Sequence, residues 1–252
     1  MNPSWLKRLA FCVIPLAWTH DSLAADVSVA VAANFAAPMK IIAQDFERTT
    51  GHKAVLSFGG TGQFYAQIRN GAPFSVLLAA DTLTPAKIEQ EGLGVPGTKF
   101  TYAIGQLVLW SKNPGLVDDQ GEILKRGNFS KIAIANPKLA PYGSAAIEVL
   151  NHLGIMSQVK PKIVEGSNIA QAYQFVFSEN ASLGFVAMSQ VYEDGKLKQG
   201  SGWIVPAKMY SPIKQDAILL NSGRNNPAAI ALTTYLQSEA AKAVIHKFGY
   251  QR

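Results

Sequence analysis

The stretch Phe58-Gly59-Gly60-Thr61-Gly62-Gln63-Phe64-Tyr65 narrows most what this chain can become. It follows the apolar run Ala54 to Leu56 and leads into a helical pattern that ends near Asn70. A strand therefore feeds a helix through a glycine-rich turn, with the hydroxyl of Thr61 where a helix N-cap belongs. Such a turn leaves several backbone N–H groups at the positive end of a helix dipole, a geometry suited to holding an anion. No Gly-Lys-Ser or Gly-Lys-Thr follows, so this is not a Walker phosphate loop. No glycine stands three residues beyond Gly62 and the acidic partner is missing, so it is not a dinucleotide fingerprint either.

The same alternation runs through both halves. Val27 to Ala33 reads as a buried strand, and Asn34 introduces a helix in which Met39, Ile42, Ala43 and Phe46 recur until Gly51 stops it. Lys53 to Phe58 is a second strand, Gln63 to Asn70 a short helix, and Ser75 to Ala80 a third strand. Thr84 and Pro85 then read as cap and first residue of a helix running to Gly92. The long apolar run Phe100 to Trp110 is broken by Gly105, which marks a passage between two bodies. Beyond it the pattern restarts, with strands at 131–135, 163–165 and 183–188 and helices at 144–153 and 169–177. Ile213 to Leu220 reads as a returning strand. Ala228 to Lys247 reads as one amphipathic helix with Ile230, Thr234, Ala241, Val244 and Ile245 inward. Two alternating halves predict an α/β protein with two doubly wound sheets. The expected division is a first lobe of residues 26–104 plus 214–252, a second lobe of 105–213, and a ligand cleft between them.

The first residues read differently. Lys7 and Arg8 precede the apolar run Leu9 to Trp18, and the small-residue stretch Ser22-Leu23-Ala24-Ala25 comes before Asp26. This is the three-part pattern of a secretory signal peptide over residues 1–25, with cleavage expected after Ala24 or Ala25. The run is too short to span a bilayer, so an exported, soluble mature chain is expected. Cys12 is the only cysteine and leaves with the signal. That removes disulfides, thiolate catalysis and cysteine metal sites from consideration. Loss of Lys7, Arg8 and Asp21 takes the formal charge from +6 to about +5. The basic residues are scattered without aromatic interleaving, which argues against a nucleic-acid partner.

Four strand-to-helix junctions, around Asn34, Thr61, Tyr142 and Ile169, would meet in a cleft if the two bodies face each other. Each supplies donors and none supplies a carboxylate. Backbone N–H, carboxamide and hydroxyl groups suit a fully ionised oxyanion, which accepts hydrogen bonds and donates none; charge-assisted bonds can offset its desolvation without a buried lysine. An enzyme finds little support. His20, His52, His152 and His246 are dispersed, and neither an HExxH nor a GxSxG motif is present.

Several further stretches fall into one order: Ala32-Ala33-Asn34-Phe35, Phe58-Gly59-Gly60-Thr61-Gly62, Gln67-Ile68-Arg69-Asn70-Gly71-Ala72-Pro73 and Phe100-Thr101-Tyr102-Ala103-Ile104-Gly105. Ala135-Asn136-Pro137, Ala140-Pro141-Tyr142-Gly143, Leu183-Gly184-Phe185-Val186-Ala187 and Phe248-Gly249-Tyr250 complete it. In this order and spacing the chain resembles, over essentially its whole mature length, the periplasmic molybdate-binding proteins of bacterial molybdate ABC transporters. The resemblance implies a two-lobed periplasmic binding protein of type II, each lobe a mixed sheet flanked by helices, joined by two crossing strands. It implies a monomer in the periplasm that delivers molybdate, and tungstate, to an inner-membrane ABC permease with its ATPase. No cofactor is implied, and molybdenum enters only as the bound oxyanion. Asn34 would donate from side chain and backbone, Thr61 from hydroxyl and N–H, and Tyr142 and Ile169 from their backbone N–H groups, with Ala33 lining the pocket. The chain departs from the family at Asn34 and Thr61, where many members carry Ser, and at Ala187, where some place a ligand-binding Tyr. The alternative is a binding protein for another tetrahedral oxyanion such as sulfate.

Overall fold

A computed structural model describes residues 24–251. The expected signal segment lies outside the described residues, Ala24 and Ala25 excepted. The chain opens with β1 (Asp26–Ala32), a short 3-10 turn (Ala33–Phe35), α1 (Ala36–Thr50), β2 (Lys53–Gly59), α2 (Thr61–Arg69), β3 (Val76–Leu78), α3 (Leu83–Gln90) and β4 (Phe100–Gly105). A second body follows: β5 (Leu107–Ser111), α4 (Ile123–Arg126), β6 (Ile132–Ala135), α5 (Pro141–His152), α6 (Met156–Val159), β7 (Ile163–Gly166), α7 (Ile169–Phe177), β8 (Leu183–Ala187) and α8 (Met188–Val191). A small hairpin, β9 (Tyr192–Glu193) with β10 (Lys196–Leu197), and β11 (Ser201–Ile204) complete it. The chain then returns through β12 (Ile213–Leu219) and closes with α9 (Pro227–Tyr235) and α10 (Glu239–Lys247).

The two five-stranded sheets share one plan. Their orders are β2-β1-β3-β12-β4 and β7-β6-β8-β5-β11. In each, three parallel strands are followed by an antiparallel one and then by an edge strand antiparallel to that. The antiparallel members, β12 and β5, are the strands the chain builds directly after crossing from the other body. The parallel trios point their carboxyl ends at the same gap, where ligands bind in open α/β sheets.

Each sheet buries its faces under helices. Met39, Ile42, Ala43 and Phe46 of α1 pack on Val27, Val29 and Val31 of β1, and Gly51 ends that helix in the left-handed conformation at φ 74°. Trp110, Leu109, Ile134, Phe185 and Val149 belong to the second core. Ala32, Ala33 and Ala80 come from the first body yet pack in the second core, so the two bodies touch across the gap. Gly105 pairs with Ile213 at the end of the first sheet, and Gln106 separates the strands of the two sheets.

Several local expectations are corrected. The run Phe100 to Trp110 is two strands, because the chain changes sheets at Gln106. Asn34 does not cap α1; it sits inside the 3-10 turn, and α1 starts two residues later. Thr61 is the first residue of α2, and Gly60 holds the cap position with its N–H donated to Gln63 Oε1 at 3.0 Å. Asp81, one turn before Thr84, receives the Thr84 N–H at 2.7 Å, so α3 begins at Leu83. α5 starts at Pro141, whose ring fixes φ and whose missing N–H is harmless in a first turn.

The closing segment is two helices. Ser238 caps the second by accepting the Ala241 N–H at 3.2 Å, and Asn226 with Pro227 starts the first. The break resets the helical phase. Ala241 and Ile245 are buried as the pattern requires and Val244 is half-buried, but Ile230 is 48% exposed, Thr234 is exposed, and Leu232 and Leu236 take the core instead. Leu232→Ala should therefore cost about 2–5 kcal/mol, whereas Ile230→Ala should stay within about 0.5 kcal/mol. Urea denaturation of both variants checks this, and equal losses would restore the single-helix phase.

Candidate functional site

The carboxyl ends of the parallel strands enclose one small cavity between the bodies. Its walls are Ala32, Ala33, Asn34, Gly59, Gly60, Thr61, Ala80, Ala140, Pro141, Tyr142, Asn168 and Ile169. All five residues expected at a site, Ala33, Asn34, Thr61, Tyr142 and Ile169, are among them. The space between these walls is ≈ 220 Å³ with its mouth included. No Asp, Glu, Lys, Arg or His lines it.

Local structure decides which donors are left over. The first N–H groups of a helix have no carbonyl within the helix to bond. In α7, Asn168 accepts from Ala170 N and Gln171 N at 3.0 and 3.1 Å, which leaves the Ile169 N–H outside the cap. In α5, Pro141 has no N–H, and Gly143 and Ser144 donate to Ala140 O at 2.8 and 3.2 Å, which leaves Tyr142. Gly143 lets this turn lie against the end of β6, because a Cβ there would clash with the Ala135 carbonyl. In α2, the Thr61 hydroxyl accepts the Ala80 N–H at 2.9 Å, so its own hydrogen is free to donate towards the cavity. Gly62 N–H donates across the gap to Leu139 O at 3.2 Å and closes that rim.

Asn34 behaves differently from the expectation. Its carboxamide gives hydrogen bonds to Gln215 Oε1 at 2.8 Å and to the Tyr250 hydroxyl at 2.9 Å, so both Nδ2 hydrogens are engaged in a buried network. Its carbonyl accepts from Ser189 Oγ at 2.7 Å and Tyr250 OH at 2.8 Å. What Asn34 offers the cavity is its backbone. Phe35, the next residue, is pinned by edge-to-face contacts with Tyr102 at 4.7 Å and Tyr250 at 5.4 Å between ring centroids.

Sequence reasoning missed this layer. Tyr250 stood in the closing motif without a role, and Asn168 immediately before the helix expected at 169–177. Gln215 carried a signal of its own, a polar residue within an apolar strand, and it is wholly buried. The nearest acid, Asp81, follows Ala80 but is turned away: its carboxylate takes Thr84 N–H and the Thr84 hydroxyl. Burial raises its pKa above the usual carboxylate range. Asp216 is held by Thr101 Oγ1 at 2.7 Å and Lys99 Nζ at 3.3 Å.

Sheets of one plan facing each other across a cavity of neutral donors define a two-lobed solute-binding protein. Residues 27–251 match the family of bacterial extracellular solute-binding proteins. The chain is 61% identical over 227 residues to the molybdate-binding protein ModA of Azotobacter vinelandii, covering 90% of each, and 51% identical to that of Rhodobacter capsulatus, covering 90% and 88%. The solved structure of an Azotobacter vinelandii periplasmic molybdate-binding protein superposes with a TM-score of 0.87 at 41% identity, over 90% of this chain and 99% of that one. The chain belongs to the extracellular solute-binding proteins and, within them, to the ModA family.

Burial pushes the Tyr250 hydroxyl up to about 12, and raises those of Tyr102 and Tyr142 well above the ordinary tyrosine value. The folded state thus keeps protons that an unfolded tyrosine releases near pH 10. Stability should be unaffected by these groups below about pH 10 and fall progressively as pH rises towards 12. Urea midpoints measured across that range should show the decline, and Tyr250→Phe should make it shallower, with Tyr102 and Tyr142 carrying the rest.

Proposed function

We propose that this chain captures molybdate, and tungstate, between its two lobes (residues 26–104 with 214–252, and 105–213) and delivers it to an inner-membrane ABC permease with its ATPase. The observation that carries the reading is a small cavity between the bodies, walled by four element starts, that is lined by hydrogen-bond donors and no charged side chain. A tetrahedral dianion accepts everywhere and donates nowhere, so Thr61 through its hydroxyl and N–H, and Asn34, Tyr142 and Ile169 through their N–H groups, suit it. Ala33 serves as wall. The names of the close relatives point to the same ligand. Export of the mature chain to the periplasm, with residues 1–25 removed, fits such a carrier, as does action as a monomer without cofactor. The ligand leaves unchanged, and no catalytic constellation is assembled around it. Charge-assisted hydrogen bonds contribute about 1.5–3 kcal/mol each, so a handful can offset the desolvation of the anion.

Calorimetry on ligand-stripped protein with molybdate, tungstate, sulfate and phosphate tests the reading. One-to-one binding of the first two with little heat from the others is expected, and binding of sulfate alone would replace the ligand. Thr61→Val should weaken molybdate about ten- to a hundredfold, the value of one charge-assisted bond. No lining side chain titrates near neutrality, so affinity should stay level between about pH 6 and about pH 9. A steep fall over that range would reveal a titrating cation in the site.

A further inference from the structure

Gln215 does not touch the cavity, yet it joins the two bodies behind it. It stands on β12, the strand that carries the chain back into the first sheet, and it is completely buried. Its Oε1 accepts the Asn34 carboxamide at 2.8 Å and the Tyr102 hydroxyl at 3.1 Å, both in the first body. Its Nε2 donates to the Tyr142 hydroxyl of the second body at 3.3 Å. Asn34 and Tyr142 line the cavity from the two bodies, and their backbone N–H groups are two of the donors proposed above. One carboxamide therefore connects, by one hydrogen bond each way, the side chains of two opposed donors.

The surroundings leave this bridge little freedom. Gly105, on the outgoing crossing strand, makes room for it, since a Cβ there would collide with the Tyr142 hydroxyl and stand 2.7 Å from Gln215 Nε2. The single Tyr102 hydroxyl hydrogen is shared between Gln215 Oε1 and the nearer Ala79 carbonyl at 2.9 Å, next to Ala80 of the cavity wall. Every buried side-chain polar atom among the described residues has a partner, so the network has no slack to absorb a shift at one end.

We propose that Gln215 is a positioning residue that sets the spacing between the donors of the two lobes, and thereby selects among oxyanions of equal charge by size. This rests on the oxyanion reading above. A ring that can shrink will follow a smaller anion inward and bind it; a ring held open by a bridge leaves some bonds to that anion long. Specificity is the difference between two affinities, and the bridge acts on the affinity for the wrong anion.

The test compares molybdate with sulfate on the mature chain, sulfate being measured by displacement of molybdate. Gln215→Met keeps length and bulk but removes both polar ends, and Tyr142→Phe removes the far anchor, with its side-chain contact to Tyr250, while leaving the Tyr142 backbone donor in place. A cooperative thermal transition identifies variants that fold, and loss of one long hydrogen bond leaves Tyr142→Phe folded. The expected result is that the preference for molybdate falls by about tenfold or more in both, one hydrogen bond's worth of discrimination. Equal weakening of both anions, with the preference unchanged, would reduce Gln215 to a packing role and overturn the proposal. Wild-type protein that ignores molybdate would instead overturn the reading of the ligand.

Discussion

A donor that belongs to the backbone cannot be moved without moving the strand and helix that carry it. The cavity depends on this constraint. Ile169 and Tyr142 are left over by their own helix caps, and Asn34 lies in the turn between β1 and α1. Each N–H direction is set by a strand end, and each strand end by a sheet with a buried core behind it. The geometry of the site is thus inherited from packing over the whole of both bodies, and side-chain entropy enters only through the Thr61 hydroxyl, which the Ala80 N–H already orients.

Identical sheet plans make such a site possible twice over. Because each crossing strand enters its new sheet as the antiparallel member, the three parallel strands of both bodies end at the gap. The crossings at Gln106 and ahead of Ile213 bring Gly105 and Gln215 together where the chain passes between the bodies. On the positioning proposal, this placement is the physical reason a buried glutamine on a crossing strand matters more than its distance from the cavity suggests.

Much of this was legible in the sequence where local chemistry decides. Glycine turns, the Gly51 stop and the strand-helix alternation located both sheets, and the helix-start argument brought Ala33, Asn34, Thr61, Tyr142 and Ile169 to one cavity. What was not legible depends on partners distant in sequence. The Asn34 carboxamide looked like a ligand donor because nothing near it in sequence competes for its hydrogens; Gln215 and Tyr250, 181 and 216 positions away, do. The phase of the last helices failed at Ser238 for a related reason, since a cap in mid-pattern changes which face meets the core.

A cavity without charged walls discriminates between anions on different terms from a charged one. A lysine ammonium is a point charge on a flexible stem, and it attracts equally charged anions of different radius with nearly the same strength. Lys138 and Lys214 border the larger groove beside the cavity and are exposed. Placed inside, either would raise affinity for every anion that entered, together with the cost of a buried cation whenever none did. Fixed N–H groups attract over a shorter range and in defined directions, so an anion of the wrong radius loses bonds that water would have supplied. Neutral donors on rigid elements convert a question of charge, which tetrahedral dianions answer alike, into one of distance, which they do not.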